Sequence, residues 1–370
     1  MVSTFSDAAL TSSWLGKPSA QQDVIEENIV RAPVADPKLA IVVTCYNYRQ
    51  FIKAAIDSVV EQQRDDCEII VVDDGSTDGS WHVIAQSGVN GVRIRNRGQV
   101  GACLVGLKRT MAPFVLFLDA DDMLKPGSLG RIIALLDEGI AKLQFPLTRI
   151  DRAGDVIGPA LPALEDFRDR SGLAAEVLRS GTYVSPPTSG NVFRRDVCAL
   201  LSEVDYDHGV DGVILFAAPF FGDVVSLSEE LGCYRVHATN MSGQGRGPTA
   251  EGIRKDLKCF TQRMEHLRRI VGRMSHGQQL ARTEDMYFFI ERELCAKIAT
   301  GSRLAAQDVT RMIAAIRRQD WPLKSKCAMA VFFLLTTAVR PERAMNLMAY
   351  RFKFGPRSVR GFVSALIMKP

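Results

Sequence analysis

A chain of 370 residues, 46% hydrophobic and 24% charged, has the apolar mass for one large domain and a smaller companion, which excludes a disordered or fibrous protein. Its net charge of +4 hides an asymmetry: residues 1–250 carry 23 Lys+Arg against 32 Asp+Glu and residues 251–370 carry 23 against 10, so an acidic front precedes a back suited to an anionic surface. Eight cysteines with no CxxC pair exclude a zinc module and a disulfide scaffold, and the lack of a signal h-region or of an apolar run near the roughly 20 residues of a bilayer span predicts a cytoplasmic protein that crosses no membrane.

Residues 1–37, rich in Ser, Gln and Pro with little periodicity, predict a flexible or loosely docked extension. From Leu39, LAIVVT reads as a buried strand. It is followed by a helix in which Phe51, Ile52, Ala55, Ile56, Val59 and Val60 share one face. EIIVV (68–72) is a second buried strand and runs into Asp73 and Asp74; VRIR (92–95) is a third, with a helix over about 100–110 behind it. FVLFL (114–118) is the fourth and ends in Asp119, Asp121 and Asp122. Four strands alternating with helices predict right-handed βαβ units and an open, mostly parallel sheet flanked by helices. KLQFPLTRI (142–150) reads as one further strand, and Gly154 with Asp155 suits a hairpin turn. An apolar helix at VILFAAPFF follows Asp205, Asp207 and Asp211, and two strands precede a polar loop around His237. Beyond Gly247 the pattern is helical throughout.

In open parallel sheets, ligands lie beyond the carboxyl ends of the strands. Three such ends carry chemistry here: Thr44 to Asn47, Asp73 with Asp74, and Asp119 to Asp122. Crowded aspartates call for a cation among them, and Asp119 and Asp121, separated by the small Ala120, can reach one divalent ion if the chain turns. The competing reading of each motif alone is a solvated acidic turn; their convergence on one edge favours a site.

With these residues identified, the first 245 or so resemble a family 2 glycosyltransferase of the GT-A nucleotide-diphospho-sugar transferase fold. The matching stretches are IVVTCYNY (41–48), EIIVVDDGSTDGS (68–80), FLDADDMLKPGSL (117–129), PTSGNVFRRDV (187–197) and the segment opening at VDGVILF (210–216). The resemblance implies a catalytic domain over 38–247 and a basic helical region over 248–370. It implies that Thr44 and Tyr46 border the nucleotide, that Asp74 accepts the uracil imide N–H with Asp73 beside it, and that Asp119, Ala120 and Asp121 form a DXD motif. That motif would hold Mg²⁺ or Mn²⁺ against the diphosphate, with His237 completing the metal shell, while Asp122 caps the next segment. Asp211 would be the general base of an inverting transfer, with Asp205 and Asp207 as fallbacks. The implied partners are a UDP-sugar donor and a saccharide or lipid-linked saccharide acceptor in cell-surface polysaccharide synthesis. One departure is Cys103 and Leu104 where the family often has Arg and Asn, for which Arg97 is the available substitute. A DxD phosphohydrolase is the alternative enzyme class, disfavoured because its first aspartate belongs on the first strand; a non-catalytic nucleotide-sugar-binding protein is the other.

In the basic region, the run Phe332, Phe333, Leu334 and Leu335 suits the core of a small helical bundle, the favoured reading, or a helix lying in an anionic membrane interface with Phe352, Phe354 and Phe362. The final basic residues suit peripheral contact with an anionic membrane face. No nucleic-acid motif accompanies the charge, so no nucleic acid is expected.

Overall fold

The apolar runs become strands in the computed structural model, which describes residues 23–206, 212–237, 249–274, 277–352, 361 and 364. Among the described residues the strands are, in chain order, β1 (Val24–Asn28), β2 (Leu39–Cys45), β3 (Cys67–Asp73), β4 (Asn90–Ile94), β5 (Phe114–Asp119), β6 (Met123–Leu124), β7 (Ile140–Gln144), β8 (Leu147–Ile150), β9 (Val156–Leu161), β10 (Phe167–Asp169), β11 (Asn191–Arg194), β12 (Asp223–Ser226) and β13 (Gly232–Arg235). Nine of them form one sheet in the order β1-β4-β3-β2-β5-β11-β7-β12-β10, and four form a second in the order β6-β13-β8-β9.

The large sheet is mostly parallel: β4, β3, β2 and β5 run side by side in one direction, β7 and β12 share it, and β1, β11 and β10 run against it. Alternation along β2 explains its continuous apolar sequence. Ala40 and Val42 enter the core on one side of the sheet, while Leu39, Ile41 and Val43 enter the core on the other. The helix Gly98–Lys108 covers β2 so closely that a Cβ on Gly106 would stand 2.2 Å from Val42 Cγ1.

Two expectations are corrected. Part of the supposed loose extension is β1, paired antiparallel with β4 and tied down by Asp23 to Arg97 at 2.8 Å and by Glu27 to Arg109. The stretch 142–150 is two strands rather than one: Pro146 brings no N–H to a ladder, the Phe145 N–H donates to Gly190 O instead, and β7 and β8 belong to different sheets. The turn at Gly154 forms, with Asp151 Oδ1 accepting the N–H groups of Ala153, Gly154 and Asp155.

From residue 250 on, the regular elements among the described residues are helical, in the runs Ala250–Met274, Tyr287–Ala299, Ala306–Arg317, Leu323–Ala338 and Pro341–Phe352. The first of these joins the main core. Phe260, Met264, Leu267, Ile270 and Val271 pack with Val177, Tyr183, Val213 and Phe216, while Ile253 enters a second core with Leu294, Met312, Phe333 and Leu347. Phe332 and Phe333 are thus bundle core, as expected.

Candidate active site

Strand register gathers the acids. On β2, Cys45 lies opposite Asp73 of β3 and Thr44 lies opposite Asp119 of β5, so the two aspartates flank one strand end, their backbones roughly 10 Å apart from the spacing of neighbouring strands. Asp73 is fully buried; its Oδ1 accepts the Ser76 N–H, its Oδ2 lies 3.3 Å from Arg93 Nε, and burial raises its pKa. These contacts are those of a residue that holds the loop.

Asp74 follows, its N–H donated to Cys45 O and its Oδ1 accepting the Arg97 N–H at 2.7 Å. Burial pushes its carboxyl up to about 6, against the lowering pull of the Arg97 and Gly98 backbone N–H groups. The loop after β2 is stitched to the same turn: Asn47 N–H donates to Ser76 Oγ, Asn47 Oδ1 accepts the Thr77 N–H, and Asp78 accepts the Arg49 N–H. Asn47 adopts a φ of 60°, a conformation its short amide side chain tolerates. Thr44 is buried beside this turn and Tyr46 is exposed at its rim.

At the end of β5 the chain turns, with Asp122 N–H donated to Asp119 O. Ala120 is buried beneath the turn, where only a small side chain passes between the two acids. Asp119 Oδ1 accepts a hydrogen bond from Gln99 Nε2 at 2.7 Å. Asp121 Oδ2 lies 2.9 Å from His237 Nε2, and the imidazole packs against Tyr48 and Phe51 in a three-ring cluster, ring centroids 5.8 and 5.1 Å away. Burial, and then the charges of Asp121, Asp119 and Asp122, push the Tyr48 hydroxyl up. Asp122 turns inward: fully buried, it accepts from Ser189 Oγ at 2.6 Å and from the Arg235 N–H at 3.0 Å, and burial together with the Asp121 charge raises its pKa well above the usual range. The sequence suggested that Asp122 caps the segment that follows it; instead it ties the turn to Ser189 and to β13.

Arg235 locks the turn from below, donating to the carbonyl oxygens of Asp121, Asp151 and Arg152 while stacked 5.0 Å from the Phe51 ring.

The structure therefore brings Thr44, Tyr46, Asp73, Asp74, Asp119, Ala120, Asp121 and His237 to one rim of the sheet. Asp211 and Asp207 lie outside the described residues; Asp205 is exposed, next to Tyr206, whose hydroxyl lies 3.2 Å from His266 Nδ1. Arg97 does not replace the missing Arg and Asn: its guanidinium turns to Asp23, and Cys103 is buried against the sheet. The polar side chain this loop directs at the acids is Gln99. Sequence reading also missed Tyr48 and Arg235; the signals that bear on them are the NYR and RVH triplets flanking residues already singled out.

Among the described residues no three His, Cys, Asp or Glu side chains form a group set to hold a metal ion. Asp121 and His237 nevertheless supply an oxygen and a nitrogen donor in contact, a set compatible with a hard divalent cation whose remaining positions are filled by phosphate oxygens and water.

The sequence model described as Glycosyl transferase family 2 matches residues 40–172, the span that carries β2 to β5 and both acidic turns. An uncharacterized glycosyltransferase, alr2836, of Nostoc sp. is 29% identical over 262 residues, covering 68% of this chain and 81% of the relative. The GalNAc(5)-diNAcBac-PP-undecaprenol beta-1,3-glucosyltransferase of Campylobacter jejuni is 32% identical over 127 residues, 32% of this chain and 41% of that protein. Among solved structures, residues 1–349 of S. aureus TarS align with a TM-score of 0.47 at 17% identity, over 89% of each chain. The family model and the sequence relatives agree with the paired acidic turns: residues 40–172 carry the sequence of a family 2 glycosyltransferase, and the chain is an enzyme that uses a nucleotide-sugar donor.

Proposed function

We propose that this glycosyltransferase is an inverting, metal-dependent enzyme that moves a sugar from UDP to an acceptor hydroxyl, the acceptor being a lipid-linked saccharide of cell-surface polysaccharide synthesis. In this reading residues 38–247 are the catalytic domain and 248–370 a basic helical region. The observation that carries it is the continuity of the rim, from Asp74 through the Arg97–Gln99 loop to Asp119, and on through the DXD turn to Asp121 and His237.

Asp74, facing the base, accepts the uracil imide N–H; Thr44 and Tyr46 line the nucleoside, Tyr46 offering an exposed ring. Asp119, Asp121 and His237 are the residues that would hold Mg²⁺ or Mn²⁺, with Gln99 fixing the Asp119 carboxylate and the aromatic pair fixing the imidazole. Bound there, such an ion supplies positive charge that offsets the charge developing on the departing diphosphate. Asp211 takes the proton from the acceptor hydroxyl as that oxygen attacks the anomeric carbon from the face opposite the diphosphate. The lipid-linked acceptor is supported by the Campylobacter relative, whose name specifies an undecaprenol-linked substrate.

The test is sugar release and transfer from a panel of nucleotide sugars with and without Mn²⁺, comparing the wild type with Asp121→Ala and Asp211→Asn. Asp121→Ala is expected to lose metal-dependent donor binding, whereas Asp211→Asn keeps donor binding and loses transfer. Normal transfer by both variants would overturn these roles, and a preference for a non-uridine donor would overturn the part given to Asp74.

A further inference from the structure

The helix Leu323–Ala338 has two apolar faces. One, with Phe332, Phe333 and Thr336, is buried in the bundle core. The other is open: at 3.6 residues per turn, Lys324, Cys327, Ala328, Val331, Leu334, Leu335 and Ala338 fall within an arc of about 120° along a rod of roughly 22 Å. Val331 is 53% exposed and Leu334 47%, and between Lys324 and the helix end the arc contains no polar side chain other than a thiol. Such a stripe on the outside of a stable helix marks a surface that meets something apolar.

Charge identifies what it meets. At one end of the stripe stand Arg317, Arg318 and Lys324, brought together where Lys326 Nζ donates to Arg317 O; at the other stand Arg340 and Arg343 with one exposed acid, Glu342, between them, which leaves that end net basic. All five cations are exposed and none has a carboxylate partner among the described residues, while the nearby Asp320 is taken by Arg179 at 2.6 Å. Both ends being basic, a second copy laid along the stripe in either direction sets cation against cation. The chain's own residues 353–370 offer the same mismatch, with Lys353, Arg357, Arg360 and Lys369 and no acid. An apolar stripe bracketed by unpaired cations is complementary to a bilayer interface of acyl chains beneath anionic headgroups.

We infer that the outward face of the helix Leu323–Ala338 is a docking surface for an anionic phospholipid bilayer. The helix lies in the plane of the interface, its stripe in the acyl boundary and its flanking cations at headgroup phosphates. No helix among the described residues is long and apolar enough to cross a membrane, so the contact is one of lying on the surface.

The experiment is co-sedimentation of the full chain with vesicles of phosphatidylcholine alone and of phosphatidylcholine with about a third phosphatidylglycerol, at low and physiological salt. The wild type is expected on the anionic vesicles and to be displaced by salt. The Val331→Glu/Leu334→Glu double variant and, separately, the Lys324→Glu/Arg340→Glu/Arg343→Glu variant are each expected to bind at least about tenfold more weakly. Both retain the wild-type melting profile, since the altered side chains are outside the core. Binding by both variants equal to the wild type's would overturn the inference, as would no vesicle binding by the wild type. So would light scattering that showed Val331→Glu/Leu334→Glu converting a dimer to a monomer. None of these readouts depends on transferase activity.

Discussion

His237 Nε2 stands 2.9 Å from Asp121 Oδ2, joining the loop after β13 to the DXD turn across 116 residues of sequence. A histidine packed against two aromatic rings and a carboxylate is oriented before any ligand arrives. His237→Ala should raise the Mn²⁺ concentration for half-maximal donor hydrolysis by about 10- to 100-fold, with a lowered melting temperature from the cavity it leaves beside Tyr48 and Phe51. A metal titration that overlays the wild type would remove His237 from the metal shell.

The proposed role of Asp74 makes donor binding pH-dependent. Its folded pKa of about 6 lies above the ordinary 3.8, so the native state holds this proton more tightly than the unfolded chain does. Relative to a permanently neutral side chain, the buried carboxylate therefore costs stability as pH rises through the window between the two values, and the cost disappears as pH falls. A carboxylate accepts the imide N–H more strongly than the neutral acid does, so UDP affinity should weaken as pH falls through about 6. Asp74→Asn should flatten that part of the profile, which separates it from titration of the nucleotide's own phosphates. Calorimetric titration of UDP at several pH values decides the point: parallel wild-type and Asp74→Asn profiles would exclude this role.

Arg235 is 3% exposed and serves three carbonyl oxygens at the base of the turn that follows β5. Replacing it with Met removes donors from acceptors that water reaches poorly and should cost about 3 kcal/mol in urea unfolding. Lys keeps the charge without the planar fork and should recover less than half of that. Full recovery by Lys would mean that charge, rather than the fork, is what the turn needs.

Two glycines in helices should respond oppositely to alanine. At Gly106 the added Cβ meets Val42 Cγ1 at 2.2 Å inside the core, an overpacking of about 1–3 kcal/mol. At Gly272 nothing lies within 4 Å, and the gain in helix propensity should stabilise by up to about 1 kcal/mol. Thermal melts of the two single variants check both signs, and a neutral Gly106→Ala would show that the helix Gly98–Lys108 can lift off β2 without cost.

The parallel half of the sheet was legible because β2, β3 and β5 are buried on both faces, so their sequences are continuous apolar runs, and β3 and β5 stop at aspartate. β1 was not: VIEEN has a mostly exposed pattern, and it is a strand only because β4 offers it an unpaired edge. Pro146 within 142–150 did signal a break, since a strand interior has no place for it. Asp74, Asp119 and Asp121 could be picked out by type and spacing. Gln99 could not, because nothing local sets it apart from a surface residue; its meaning comes from the carboxylate the fold lays beside it.

The helix Ala250–Met274 lends five side chains to the main core. A fragment ending near residue 247 would expose Val177, Tyr183, Val213 and Phe216 as a greasy scar, and is expected to precipitate on expression. The nucleotide-binding half and its basic companion are in that sense one folding unit, to be handled and engineered whole.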